Sequence, residues 1–239
     1  MEINQANVIL EVQDGTEMQA YVASPLPGTG TYPGLIVFQE AFGVNQHIRS
    51  VCDRFAAEGY VVIAPELFHR SGAPGVTIDY NNFAAALPHM QALTTAGLEA
   101  DANAAWKWLQ QQPGIRKDLI VCTGYCMGGR TSFLANTILP FKAAVSYYGG
   151  RIPDLLGRAA AIQAPMLFFW GGLDKHIQQE QIQQVKDALT AAGKQYVNVE
   201  ISDADHGFFC NERASYNAEA AAEAWELTLS FLRTKLSIT

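Results

Sequence analysis

The chain predicts an α/β fold: a mostly parallel central sheet with helices on both faces and an antiparallel hairpin at its N-terminus. Three observations carry this. Short apolar runs alternate with amphipathic segments from Gly34 onward, and the first two strand-like segments flank a Gln13-Asp14-Gly15 turn. No repeat, low-complexity tract or linker divides the 239 residues, so 1–239 reads as one domain. With 49% hydrophobic and 16% charged residues, the chain can fill a core of that size.

Asn7 to Val12 and Met18 to Ala23 cluster apolar residues around Gln13-Asp14-Gly15, a strong short-range hairpin signal. Pro25 to Pro33, with three prolines and two glycines, predicts a loop. Gly34 to Phe38 is the continuous apolar run of a strand buried on both faces. Asn45 to Gly59 carries Ile48, Val51, Phe55 and Ala56 at helical spacing and ends at Gly59 as a C-cap. The strand Tyr60 to Ala64 follows and completes a βαβ unit. Pro65 to Asn82 predicts a long irregular connection. Phe83 to Leu93, interrupted by Pro88, predicts a short broken helix partly covering the site.

Leu98 to Gln112 places Ala102, Ala105, Trp106 and Leu109 on one side of a helix and leads through Pro113-Gly114 to the strand Leu119 to Thr123. Arg130 to Leu139 predicts the next helix. Ala143 to Tyr148, Met166 to Trp170 and Tyr196 to Ile201 are further strands, with helices over Ile177 to Ala192 and Ala218 to Lys235.

The net charge of −7 argues against a nucleic-acid surface and against electrostatic docking on anionic lipid. Met1 to Gln13 lacks a basic stretch followed by an apolar core, and no later segment approaches the ~18 apolar residues of a membrane span. The expected location is the cytoplasm, without membrane or nucleic-acid partners. Cys52, Cys122, Cys126 and Cys210 form neither a disulfide framework nor a zinc pattern, and Cys122 with Cys126 is not C-x-x-C. Reduced thiols are expected, with no metal or nucleotide motif.

Gly124-Tyr125-Cys126-Met127-Gly128-Gly129 lies between the strand Leu119 to Thr123 and the helix that follows it. In a Gly-x-nucleophile-x-Gly turn the central residue sits on strained backbone with its side chain above the sheet. Gly124 and Gly128 leave out the Cβ atoms that would crowd the turn, and Met127 opens the helix with its N–H toward charge developing beside the sulfur. The competing reading is a glycine-rich turn around a buried, inert cysteine.

Ligands of an open α/β sheet sit at the carboxyl ends of its strands. Four reactive side chains follow strands there: Glu40, Cys126, Asp174 and His206. The last three run nucleophile, acid, histidine, the chain order of the α/β-hydrolase triad. Asp203 and Asp205 rival Asp174 as the partner of His206, but lying within three residues of it they suit the shaping of its turn. His47, His69, His89 and His176 are scattered and read as surface or loop histidines. A free thiol is only a few per cent thiolate at neutral pH, and a helix N-terminus or an imidazolium raises that share. Glu40 could take the thiol proton as a base, or pair with a cation such as Arg70 or Lys175.

Together these residues resemble the dienelactone hydrolase (carboxymethylenebutenolidase) family of α/β-hydrolases. The resemblance runs through Gln39-Glu40-Ala41-Phe42-Gly43-Val44-Asn45, Ala64-Pro65-Glu66-Leu67, Gly124 to Gly129, Tyr147-Tyr148-Gly149, Gly172-Leu173-Asp174 and His206-Gly207-Phe208. It implies the α/β-hydrolase fold, a triad of Cys126, Asp174 and His206, and a Glu40 that activates the cysteine on substrate binding. It also implies an oxyanion hole from the Ala41 and Met127 N–H groups, and cofactor-free hydrolysis of a small-molecule lactone or ester through an acyl-enzyme. A peptide or other acyl bond, or ligand binding without turnover, is the alternative, because this fold hosts many functions.

Well-characterised members of the family clamp a substrate carboxylate with two arginines, one after the second strand end and one four residues past the histidine. This chain has Cys210 at the second place and no arginine from Gly75 to Leu87. Arg70 and Arg213 are the replacement candidates, against their being solvated surface charges. Tyr147 and Tyr148 complete the expected substrate contacts.

Overall fold

The computed structural model describes residues 1–26 and 30–237. The chain divides into two compact units, Met1–Val121 and Cys122–Thr239. Of the loop expected over Pro25 to Pro33, residues 27–29 lie outside the described residues.

In the first unit, strands β1 (Ile3–Glu11) and β2 (Glu17–Pro25) form the antiparallel hairpin, in a register that sets Glu11 opposite Glu17. The turn closes through Val12 N–H to the Thr16 carbonyl at 2.9 Å, with Gly15 at φ +85° and the Asp14 carboxylate accepting from the Thr16 N–H. Strand β3 (Tyr32–Phe38) pairs parallel with β4 (Val61–Pro65), and β4 pairs antiparallel with β2, giving the order β1-β2-β4-β3. Helix α1 (Gln46–Ala57) joins β3 to β4. Asn45 caps it by accepting from the Ile48 N–H, and its apolar stripe of Ile48, Val51, Phe55 and Ala56 is buried.

Helix α2 (Phe83–Ala92) runs unbroken through Pro88, a correction to the broken helix expected there. The bond that proline removes would have reached the carbonyl of Ala84, which is exposed and open to water. Helix α3 (Thr95–Gln111), capped by Thr94, starts earlier than its apolar stripe suggested.

Strand β5 (Ile115–Tyr125) begins in the first unit and ends in the second. Strands β6 (Ala144–Tyr147), β7 (Met166–Gly171) and β8 (Tyr196–Ile201) continue parallel in the order β5-β6-β7-β8. Helix α4 (Met127–Ile138) follows β5 directly, α5 (Gln179–Ala191) joins β7 to β8, and α6 (Ala218–Leu236) closes the chain. The buried aromatic rings of Tyr125, Tyr147, Phe169 and Phe209 stack beneath the ends of these strands. No helix among the described residues is long and apolar enough to cross a membrane.

Candidate active site

The turn at Cys126 is set by backbone sterics. Cys126 adopts φ 55°, ψ −116°, a conformation few residues other than glycine enter without support. Support comes from its N–H, which donates to the Tyr147 carbonyl at 3.0 Å, and from its own carbonyl, which accepts from the Gly129 N–H at 2.9 Å. The chain doubles back so tightly that a Cβ on Gly124 would lie 1.9 Å from the Gly128 carbonyl oxygen. Only glycine fits there. Met127 opens α4, so its N–H belongs to the first turn, where no intrahelical acceptor exists and the helix dipole favours negative charge.

The loops that carry Asp174 and His206 are joined to each other just beyond β7 and β8. Gly172 N–H donates to the Ile201 carbonyl at 2.7 Å and Leu173 N–H to the Ala204 carbonyl at 2.9 Å. A Cβ on Gly171 would meet the Ala204 oxygen at 2.4 Å, which accounts for glycine at that position. Asp174 is then anchored through Oδ1, which accepts from the N–H groups of His176 (2.7 Å) and Ile177 (3.2 Å).

Its other oxygen, Oδ2, lies 2.7 Å from His206 Nδ1, and His206 Nε2 lies 3.1 Å from Cys126 Sγ. The structure thus brings the three expected residues into one line and selects Asp174 over its rivals. Asp205 accepts from the N–H of His206 itself and shapes the turn, while Asp203 faces Asn217.

The electrostatics follow from this line. Burial works against a charged His206. The charge of the Cys126 sulfur, the Asp174 hydrogen bond, the hydrogen bond to sulfur and the Asp174 charge outweigh it and push the imidazole up to about 10. Burial alone would raise the Asp174 carboxyl, but the His206 hydrogen bond and charge, with the His176 N–H, hold it below its ordinary value. Cys52, Cys122 and Cys210 are fully buried, whereas Cys126 is partly open to solvent. Burial drives the thiols of Cys52 and Cys122 well above their ordinary range, which leaves them poor nucleophiles.

The remaining expected site residues divide. Tyr148 is fully buried, its N–H bound to the Phe169 carbonyl and its ring 5.1 Å from that of His206, so it walls the histidine. Tyr147 is engaged elsewhere. Its hydroxyl donates to the Ala224 carbonyl at 3.0 Å and contacts Thr228 Oγ1 at 2.6 Å, so it joins β6 to α6 in the core.

Arg70 is likewise engaged elsewhere, with Nη1 and Nη2 forked onto Asp101 at 2.9 and 2.8 Å and Nε on Asp14 at 2.7 Å. Arg213 lies beside Gly207: its Nη1 is buried, 2.1 Å from where a Cβ on Gly207 would stand. In the first unit Glu40 is fully buried after β3, with Oε2 accepting from the Tyr80 hydroxyl at 3.1 Å, and Ala41 occupies the turn that follows.

His176 is the exposed loop histidine expected, and its ring also stands edge-on to that of His206 with 5.3 Å between centroids. His47, expected at the surface, is 3% exposed.

Comparison with known proteins identifies the family. The family model described as the dienelactone hydrolase family matches residues 18–236. A candidate carboxymethylenebutenolidase of Synechocystis is 36% identical over 230 residues, covering 92% of this chain and 93% of its own. Another, of Escherichia coli O157:H7, is 36% identical over 232 residues, covering 92% and 83%. A crystal structure of a candidate dienelactone hydrolase from Klebsiella pneumoniae superposes with a TM-score of 0.89 at 33% identity, covering 97% of this chain and 99% of that one. Fold, strand-end residues and sequence therefore agree: this chain has the α/β-hydrolase fold and belongs to the dienelactone hydrolase family, as a carboxymethylenebutenolidase-like carboxylic ester hydrolase.

Proposed function

We propose that the chain hydrolyses a small-molecule lactone or carboxylic ester with Cys126 as nucleophile, through an acyl-enzyme. The observation that carries this is the continuous Asp174, His206, Cys126 line at 2.7 and 3.1 Å on a strained turn that presents the sulfur. The sulfur electron pair attacks the carbonyl carbon, and the carbonyl π pair moves onto oxygen. The Met127 N–H at the start of α4 stabilises that oxyanion, with the Ala41 N–H as the second donor implied by the family.

The C–O bond then breaks, and His206 Nε2 gives its proton to the departing alkoxide, which in a lactone stays attached to the acyl group. In the thioester the sulfur no longer carries charge, so the imidazole loses the largest support for its proton and can take one from water. Hydroxide adds to the thioester, the C–S bond breaks, and the acid leaves. Glu40 is assigned the role of activating Cys126 when substrate binds.

Arg213, whose guanidinium lies beside Gly207, is our candidate to meet a substrate carboxylate, which keeps a carboxylate-bearing lactone within range. We take the chain as one hydrolase domain, since a single family match runs through both units, and the cytoplasm as its location, in keeping with four free cysteines.

The test is turnover of p-nitrophenyl acetate and dienelactone by wild type and Cys126→Ala, with mass spectrometry of the quenched wild type. A loss of at least about 10³-fold and an acetyl adduct on Cys126 are expected. Equal turnover by the two proteins would overturn the mechanism.

A further inference from the structure

Strand β8 ends the order β5-β6-β7-β8, and among the described residues no strand lies beyond it. None of its 6 residues is buried, whereas every residue of β6 and β7 is. The ladder to β7 determines which backbone groups face outward. Met166 N–H donates to the Gln195 carbonyl at 3.1 Å and Gly172 N–H to the Ile201 carbonyl at 2.7 Å. A parallel ladder engages alternate residues, so Gln195, Val197, Val199 and Ile201 face β7. The N–H and C=O groups of Tyr196, Asn198 and Glu200 therefore point away from it.

Sheet edges are usually blunted by a proline, a bulge or several charges. β8 has no proline, keeps an unbroken register with β7 from Tyr196 to Ile201, and carries Glu200 as its one charge. Val197 is 45% exposed. It borders an open groove of about 380 Å³ lined also by Pro165, Lys194, and Phe231 and Lys235 of α6.

We propose that β8 is a dimer interface, at which β8 of a second copy of this chain pairs antiparallel across a two-fold axis at Val197. Charge selects that register. With Val197 opposite Val197, Lys194 stands opposite the second copy's Glu200 on both sides of the axis. Moving the axis to Asn198 sets Glu200 against Tyr196, and moving it to Tyr196 sets Lys194 against Asn198, so either shift loses both ion pairs. In the Val197 register, Tyr196 and Asn198 exchange N–H and C=O bonds with the second copy's Asn198 and Tyr196. The two Val197 side chains meet at the closer, non-hydrogen-bonded spacing and cover each other beside the groove. The axis lies toward the amino end of β8, whereas His206 follows its carboxyl end, so activity per chain should not depend on pairing.

The test is sedimentation velocity across a concentration series, which reads mass whether or not Cys126 is the nucleophile. Wild type should form a dimer. Val197→Lys sets two lysines face to face and should weaken the dimer at least about 10-fold. Lys194→Glu and Glu200→Lys should each weaken it about 10-fold alone, because each sets like charges together on both sides of the axis. An equimolar mixture of these two variants should recover the wild-type affinity to within about threefold, since the mixed dimer restores opposite charges at both places. Urea unfolding checks that each variant is folded, and if Val197→Lys is not, the mixing experiment decides.

Wild type that stays monomeric up to about 1 mM would overturn the proposal. So would a dimer unaffected by Val197→Lys, or charge variants whose mixture pairs no better than either one alone.

Discussion

The charge on His206 offers the sharpest test of the site. Its imidazole is pushed from an ordinary 6.5 up to about 10, so the cation persists through neutral pH and is lost only as pH rises through about 10. At ~1.4 kcal/mol per pH unit, that gap amounts to roughly 5 kcal/mol in favour of the imidazolium. Four effects raise it against burial, and two of them, including the largest, come from Cys126.

Cys126→Ala removes both and keeps burial and Asp174. His206 should then titrate at least about 1.5 pH units lower, a loss of roughly 2 kcal/mol. The measurement is the nitrogen chemical shift of the His206 ring followed by NMR from about pH 5 to pH 11 in both proteins. The same titration midpoint in wild type and variant would refute the argument, because it would mean that the sulfur carries no charge beside the ring. Cys126→Ser is a useful companion: its hydroxyl keeps a hydrogen bond to Nε2 without the charge, so it should fall close to the alanine value.

Two further outcomes follow from the contacts of Arg70 and Tyr147. Arg70→Ala should destabilise the fold by about 3 kcal/mol in urea unfolding, because Asp101 is fully buried and would lose its forked partner, while kcat/KM of the folded protein should not change. Lost activity at full stability would return Arg70 to the substrate. Tyr147→Phe should cost about 1 kcal/mol of stability through the lost contacts to Ala224 and Thr228, with KM unaltered; a raised KM would show that the hydroxyl meets the substrate after all.

Much of the site was legible because it depends on local chain order. A glycine pair around a cysteine, between an apolar run and a helix, encodes a strained turn, and residues just past parallel strands converge whatever the loops between them do. The α1 cap at Asn45 and the hairpin at Asp14-Gly15 were readable for the same reason: each interaction closes within a few residues.

What stayed hidden depends on pairings across long stretches of chain. Tyr147 shares its motif with Tyr148, and only the position of α6 decides that one hydroxyl is consumed in the core while the other ring faces His206. Asp101 lies on the buried face of α3 among Leu98, Ala102 and Ala105, where periodicity predicts apolar residues; Arg70, from a distant loop, makes the carboxylate tolerable. Tyr80 carried no signal at all, since nothing in its neighbourhood names Glu40.

One feature of the backbone bears on how this enzyme could be divided. The boundary between the two compact units falls inside β5, between Val121 and Cys122, just ahead of the turn that carries Cys126. A protein split at that bond yields one half without Cys126 and another in which Cys126 hangs from a truncated strand. Neither half should turn over an ester alone. Activity recovered on mixing would report reassembly of a single strand, which makes this bond the natural cut for a two-piece sensor of molecular proximity.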